Sequence, residues 1–487
     1  MSEELTQEEL RLRKLEQLQQ EGRDPFAIHA YDRTHLSGQL VEDFDELEGS
    51  QVSVCGRLMA RRGHGKSTFA DLVDGAGKIQ FYAKLDELGE DSYAELRDTD
   101  LGDIIGIKGE VFKTRSGEVS VKATEWTLLA KSLRPLPEKW HGLQDVEMRY
   151  RQRYLDLMMS PEVREVFEKR ARIVQAAREF FYGRRFHEVE TPMLQTLYGG
   201  ANARPFITHH NALDLSLYMR IAPELYLKRL VVGGMERVFE IGKVFRNEGI
   251  DTRHNPEYTL LEAYQAYTDY EGMMELIESL VCRMAQAANN SLQFTYQEHE
   301  IDLTPPWRRV TLIGAVQEAT GVDFASFEAD DDARTACVDL DLGDIADETY
   351  AGLLTRAFDK HVEPGLIQPT FVVDYPTVIS PLAKRKAGDA TLAARFEPFI
   401  GGQECGNAFS ELNDPIDQRD RFEAQVQAGR GGDEEAHPMD EDFIRALEHG
   451  LPPTGGLGLG IDRMVMLLAD RPSIREVIIF PTMRPER

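Results

Sequence analysis

The sequence predicts an α+β protein in two unequal parts, and three observations carry that expectation. Between residues 50 and 130, five short runs rich in strand formers (QVSVCGRLMARR, STFADLVD, GKIQFYAKL, DIIGIKGEVFKT and EVSVKATEWTLL) are separated by turns with Gly, Asp and Lys. The stretch Leu133 to Trp140, with Pro135 and Pro137, then interrupts the chain as a linker. Beyond it, long amphipathic helical patterns alternate with strands that carry polar and aromatic groups on one face.

Composition narrows the class. The chain has 487 residues, enough for two or three domains with full cores, and with 42% hydrophobic and 29% charged residues it is globular rather than disordered. It has no run of about 18 apolar residues, and its start, MSEELTQEEL, is acidic where a signal peptide would be basic and then apolar, so a cytoplasmic protein is expected. Cys55, Cys282, Cys337 and Cys405 are scattered without zinc spacing, which predicts reduced thiols. A net charge of −28 excludes indiscriminate nucleic-acid binding, so such a partner must use local patches. Arg57 to Lys66, RLMARRGHGK, with four basic residues and no acid, is one of these.

In order along the chain, residues 4 to 20 predict a helix opened by Thr6 and Glu9 at reciprocal-cap spacing. The five strand runs fit a closed barrel of the oligonucleotide-binding type. Gly65-Lys66-Ser67 looks like the end of a phosphate-binding loop, but Ala60 stands where a glycine is needed and no helical pattern follows, so that reading is rejected. Phe69 beside Arg61 and Arg62 offers instead a ring and positive charge for single-stranded bases, the alternative being a core ring. Ser160-Pro161 opens a strong helix that ends near Gly183, and FHEVETPML predicts a strand stopped at Pro192. A helical pattern covers Glu271 to Asn289, and the stretch to Gln368 is unreadable. Thr370 to Ser380 reads as a strand and Leu382 to Thr391 as a basic, mobile loop.

Three stretches carry chemistry. Arg237 to Tyr264, RVFEIGKVFRNEGIDTRHNPEYTLLEAY, predicts two strands joined by a polar loop. Glu240, Arg246 and Glu248 share one face of its first arm, and Tyr258, Leu260, Glu262 and Tyr264 share one face of the second. Arg253 and His254 stand at the tip, where a polyphosphate could be held. Arg395 to Asn413 predicts a hairpin turning at Gly401-Gly402, with Cys405, Asn407, Phe409 and Glu411 alternating onto one face. Glu397 and Glu404 flank that turn as a natural magnesium pair, and Glu404 can join Asn407 in one pocket only through a bulge near Gly406. In GGLGLGIDRMVMLL, Gly456, Gly458 and Gly460 strip one face of a strand for a flat ligand, and Arg463 follows at the start of a helix.

With VFRNEG, RHNPEYT, FHEVETP and GLGLGIDR, the sequence resembles the class II aminoacyl-tRNA synthetases. RPFITHHNALDLSLYMRIAPELYLKRL, GNAFSELND and ALEHGLPPT resemble the lysyl family within that class. The resemblance covers nearly the whole chain. It implies a six-stranded antiparallel sheet flanked by helices, an N-terminal anticodon-binding barrel and a homodimer built on the FHEVETP region. The domains expected are a helical extension (1–49), the barrel (50–132), a linker (133–145) and the catalytic domain (146–487).

Carried over residue by residue, the resemblance implies that Arg246 meets the α-phosphate and the lysine carboxylate. Arg253 and His254 would meet the terminal phosphates, Tyr258 and Arg463 would sandwich adenine, and Glu248 and Gly460 would complete the ATP side. Gly200, Glu224 and Glu262 would line the lysine side, Tyr264 and Glu411 would hold the ε-ammonium, and Asn407 and Phe409 would close the wall. Glu397 and Glu404 would bind Mg2+, and Arg61, Phe69, Gln80 and Glu118 would read the anticodon of tRNA(Lys). Tyr258 stands where Phe is usual, and Cys405 and Ala408 replace more typical aliphatic and Gly residues. The activity implied is ATP-dependent formation of lysyl-adenylate and transfer of lysine to tRNA. A protein-lysylating paralogue would lack the barrel, and a non-catalytic RNA-binding regulator would be free to lose the nucleotide groups.

Overall fold

The structure is a computed structural model describing residues 5–137, 145–327, 329–430 and 437–486. The C-terminal part of the linker, including Trp140, lies outside these. The chain divides into two compact units, Met1–Asp145 and Val146–Arg487. Among the described residues no helix is long and apolar enough to cross a membrane.

The first unit is a closed barrel in which Gln51–His64, Ser67–Asp74, Gly77–Lys84, Val119–Ala130 and Ile104–Lys113 follow one another around the wall. Alternation sends Leu58, Ala70, Leu72, Ile79, Phe81, Ile107 and Val121 inward as its core. Gly65 lies at the tip of the first hairpin with φ +58, and strand follows it, in keeping with the rejected phosphate loop. The N-terminal helix Gln7–Gln20 starts at a complete capping box between Thr6 and Glu9. Buried Arg11 anchors it by donating to the carbonyls of Leu101, Ser132 and Arg134.

The second unit is organised on a nine-stranded sheet. Six strands pair antiparallel in the order Thr370–Pro376, Asp389–Phe399, Gly406–Ser410, Thr454–Gly460, Glu257–Ala266 and Arg237–Phe245. Arg308–Thr311 and His187–Glu188 add a parallel strand at either edge. The FHEVETPML segment supplies to this sheet only the two-residue strand His187–Glu188, and past Pro192, which offers no ladder donor, Leu194 opens a separate short strand Leu194–Gln195. Helices Pro161–Gly183 and Tyr270–Asn289 cover one face of the sheet and bury Phe239, Leu261, Leu457, Leu459 and Phe396. Ser160 does stand at the first helix's N-cap with Pro161 after it, although its side chain makes no capping bond.

Two stretches differ from expectation. The unreadable region holds helices Leu312–Thr320, Asp330–Ala336 and Tyr350–His361 around their own core of Leu312, Val316, Leu353 and Phe358. The expected mobile loop is a small hairpin: Arg385–Lys386 pairs with the strand from Asp389, Gly388 turns it at φ +87, and Lys386 ion-pairs with buried Asp374 at 2.6 Å.

Candidate active site

The other sheet face is covered in part by helix Glu224–Val232 and holds a cavity beside it, and register decides what stands in that cavity. Glycine strand Thr454–Gly460 lies between the two polar hairpins, with Gly458 opposite Glu262 on one side and Asn407 on the other. Gly456 is likewise flanked by Tyr264 and Phe409. Each row thus has a bare centre between two functional side chains, and the result is a cavity of about 440 Å3. Every residue expected on the ATP, lysine and magnesium sides lines it, from Gly200 and Glu224 through Arg246, Glu248 and Tyr258 to Glu411, Gly460 and Arg463.

The Gly401-Gly402 turn takes positive φ at both residues, +65 and +71. Phe396 pairs with Ala408 but Phe399 with Glu404, so one extra residue sits between Glu404 and Ala408. This is the bulge that brings Glu404 and Asn407 to one cavity. The bulge breaks the expected row of four: Cys405, 1% exposed, packs in the core with Ala408 and meets the cavity wall from there, while Asn407, Phe409 and Glu411 line the cavity as expected. Burial pushes the Cys405 thiol up to about 12, which leaves it inert. Cys405→Ala is accordingly expected to keep ATP–pyrophosphate exchange within about twofold, on the rule that free Cys behaves as a small apolar filler; a tenfold loss would overturn that reading.

Glu397 accepts from the Tyr375 hydroxyl at 2.7 Å and from Arg395 at 2.6 Å. Burial nevertheless pushes its pKa up to about 7, with Arg395 pulling it down and the nearby Glu404 charge pushing it further up. Glu404 is held by Arg463 Nη1 at 3.1 Å. At the Arg246 end, the Arg246 Nε is buried with no hydrogen-bond partner, and its guanidinium lies 5.4 Å from the Tyr258 ring. The loop tip is ordered by Asp251, which binds His254 Nδ1 at 2.8 Å, while Arg253 rests on Glu363 at 3.2 Å.

The other end is a buried charge cluster. Helix Glu224–Val232 presents Glu224 and Lys228 one turn apart, and Lys228 Nζ lies 2.5 Å from Glu224 Oε1 and 2.5 Å from Glu411 Oε2. Burial disfavours the Lys228 ammonium, yet Glu224 and Glu411 together hold its pKa above the ordinary lysine value. Glu411 is 1% exposed and paired by charge alone, neither oxygen receiving a well-directed hydrogen bond. Its pKa is pushed up to about 8, first by burial and then by Glu224, against the pull of Lys228. Burial, then the Glu224 charge, raises Glu262 well above the ordinary carboxylate range, and the Tyr264 hydroxyl donates to it at 3.0 Å. Lys228 and Arg395 are functional neighbours that sequence reasoning passed over. The Glu224–Lys228 spacing of four on a helix was the available signal for the first.

On the barrel, Phe69 stands outside the core with its ring 4.6 Å from Tyr82. Gln80 shares that face and donates to Glu118 at 3.3 Å. Arg61 does not: it pairs with core residue Ala70 and donates to the carbonyls of Leu96 and Thr99. Strand alternation puts Arg62 beside Phe69 instead, its guanidinium 3.2 Å from Asp71.

An antiparallel floor with a glycine strand at its centre, Arg246 at one end and buried acids at the other is the architecture of a class II synthetase. The family of class II tRNA synthetases (D, K and N) matches residues 145–484, and the OB-fold nucleic acid binding domain matches residues 52–129. The lysine–tRNA ligase of Moorella thermoacetica is 56% identical over 98% of this chain and 97% of its own length. That of Thermoanaerobacter pseudethanolicus is 55% identical over 98% and 96%, and that of Clostridium perfringens 53% over 99% and 97%. The chain belongs to the lysine–tRNA ligase family of class II synthetases.

Gly456 supplies a test of the floor. A methyl there would stand 2.0 Å from Glu411 Oε1 and 2.5 Å from Tyr264 Cε1. Gly456→Ala is expected to weaken lysine activation roughly 5- to 150-fold, the range of an overpacking cost of about 1 to 3 kcal/mol. Fluorescent-nucleotide binding should hold, and equal loss of both ligands would show general collapse instead.

Proposed function

We propose that the cavity makes lysyl-adenylate from lysine and ATP and then passes lysine to the 3′ end of tRNA(Lys). The observation that carries this is the buried Glu411 carboxylate, short of hydrogen bonds beside Tyr264, at the opposite end of the floor from Arg246. It asks for an ammonium at one end of a cavity whose other end offers Arg246 for an anion, which suits lysine. Lysine's carboxylate is already ionised at pH 7, so attack on the α-phosphate needs no general base. It needs alignment and relief of anion repulsion. Arg246, with its unpartnered Nε, would hold both anions, and Tyr258 and Arg463 would hold adenine between them. Glu248, Arg253, His254 and Gly460 would complete the nucleotide side, and Gly200, Glu224, Glu262, Asn407 and Phe409 the lysine side.

Glu397 and Glu404 suit a divalent cation as two carboxylates lining one cavity near enough for the Glu404 charge to push up the Glu397 pKa, which burial chiefly raises to about 7. Mg2+ there would supply charge neutralisation at the phosphates. Exposed Leu194, Ile207, Leu213 and Leu215 in and around the three-stranded sheet support a homodimer in that region, and cytoplasmic work in translation follows from the activity. ATP–pyrophosphate exchange across the twenty amino acids tests the proposal: lysine should stand at least about 100-fold above any other, since a buried carboxylate left unpaired is costly.

The barrel would read the anticodon through Phe69, Gln80 and Glu118, with Arg62 rather than Arg61 beside the stacking ring. Phe69→Ala should lower kcat/KM for tRNA charging roughly 5- to 150-fold, the value of about 1 to 3 kcal/mol per stacked base, and leave exchange within about twofold. Equal damage to both reactions, or a large fall in melting temperature, would sink the stacking role.

A further inference from the structure

We infer that Lys228 selects the substrate's head group: by occupying one oxygen of Glu411 it makes the pocket accept an ammonium and reject a guanidinium. The inference rests on the reading that Glu411 receives the substrate's terminal cation. A guanidinium binds a carboxylate most strongly through two parallel N–H bonds, and that fork needs both oxygens, whereas an ammonium is a point charge that is content with one.

Only one oxygen is on offer. Oε2 lies 2.5 Å from Lys228 Nζ, while Oε1 faces Gly456 and Tyr264 on the cavity side and is buried without a hydrogen-bond partner. Lys228 cannot swing away to release Oε2. It is fully buried, its Nζ is also 2.5 Å from Glu224, and the Phe409 and Phe443 ring centres stand 5.4 Å and 5.9 Å from it. The lysine therefore pre-empts half of the fork. It also places a buried positive charge between Glu224 and Glu411, so the site does not attract every cation by field alone.

The test compares lysine and arginine in exchange by the full-length protein carrying Lys228→Ala, which frees Oε2 and makes room for the larger group. The ratio of kcat/KM for lysine over arginine should narrow by at least about tenfold relative to wild type, while KM for ATP stays within about twofold, in line with the loss of a specific polar constraint. Where Lys228→Ala does not fold, the same ratio is read on Lys228→Met, which keeps the bulk and gives up the charge. Proportional loss of both amino acids would mean that Lys228 only supports the fold, and would overturn the inference. So would a wild-type protein that binds homoarginine within tenfold of lysine in calorimetry. The two levels fail separately: a wild-type preference for an amino acid other than lysine removes the reading of Glu411, and an unmoved ratio beneath an intact lysine preference removes Lys228 alone.

Discussion

Replacing both Glu397 and Glu404 by Gln is expected to abolish adenylate formation while lysine still binds. The two carboxyls sit on either side of the Gly401-Gly402 turn, and only the bulge before Ala408 lets both serve one cavity. Glu397 at about 7 is held near its titration point by burial and by Glu404, an arrangement that a dication would relieve and two amides would not. Without the carboxylates the phosphates would keep their mutual repulsion, and exchange should fall at least about 1000-fold, as for loss of charge stabilisation at a transferring phosphoryl group. Calorimetry with lysine alone separates the outcomes. Lost lysine binding in the double variant would show that the pair supports the wall through Tyr375 and Arg395 instead.

Glu411→Gln carries the second large effect. A charged hydrogen bond in a dry site and the desolvation it offsets amount to about 2 to 4 kcal/mol, so lysine activation should fall roughly 30- to 1000-fold. Near-normal activation would remove Glu411 from the ammonium site. The same residue sets a pH dependence. Its folded pKa of about 8 means that the empty site holds a proton at neutral pH, which must leave before the carboxylate can pair with an ammonium. Lysine affinity should therefore rise with pH, by up to about tenfold per unit, and level off above about 8. Glu411→Gln should remove that limb. The sign for stability is opposite. A carboxyl raised above its ordinary value contributes stability that is complete at low pH and is lost as pH rises through 8, so the ligand-free catalytic unit should melt earlier in alkali and lysine should restore it.

What the sequence by itself determined was whatever near neighbours decide. Strand alternation put Glu262 and Tyr264 on one face and Leu457 and Leu459 on the other. Thr6 with Glu9 opened the first helix, and Gly401-Gly402 turned its hairpin at positive φ, because caps and turns are satisfied within a few residues. The barrel was legible for the same reason, five strands each carrying its own inward set. The tertiary structure alone decided matters of register and long-range burial. It buried Cys405 in the core behind the cavity wall, put Arg62 instead of Arg61 beside Phe69, and folded Leu382 to Thr391 into a hairpin tied to Asp374. It also set Lys228 between Glu224, its neighbour on the helix, and Glu411, which is far away in sequence and reaches it only once the sheet has closed. A one-residue bulge or a buried ion pair costs or gains a few kcal/mol according to what surrounds it, and those surroundings do not exist until the chain has folded.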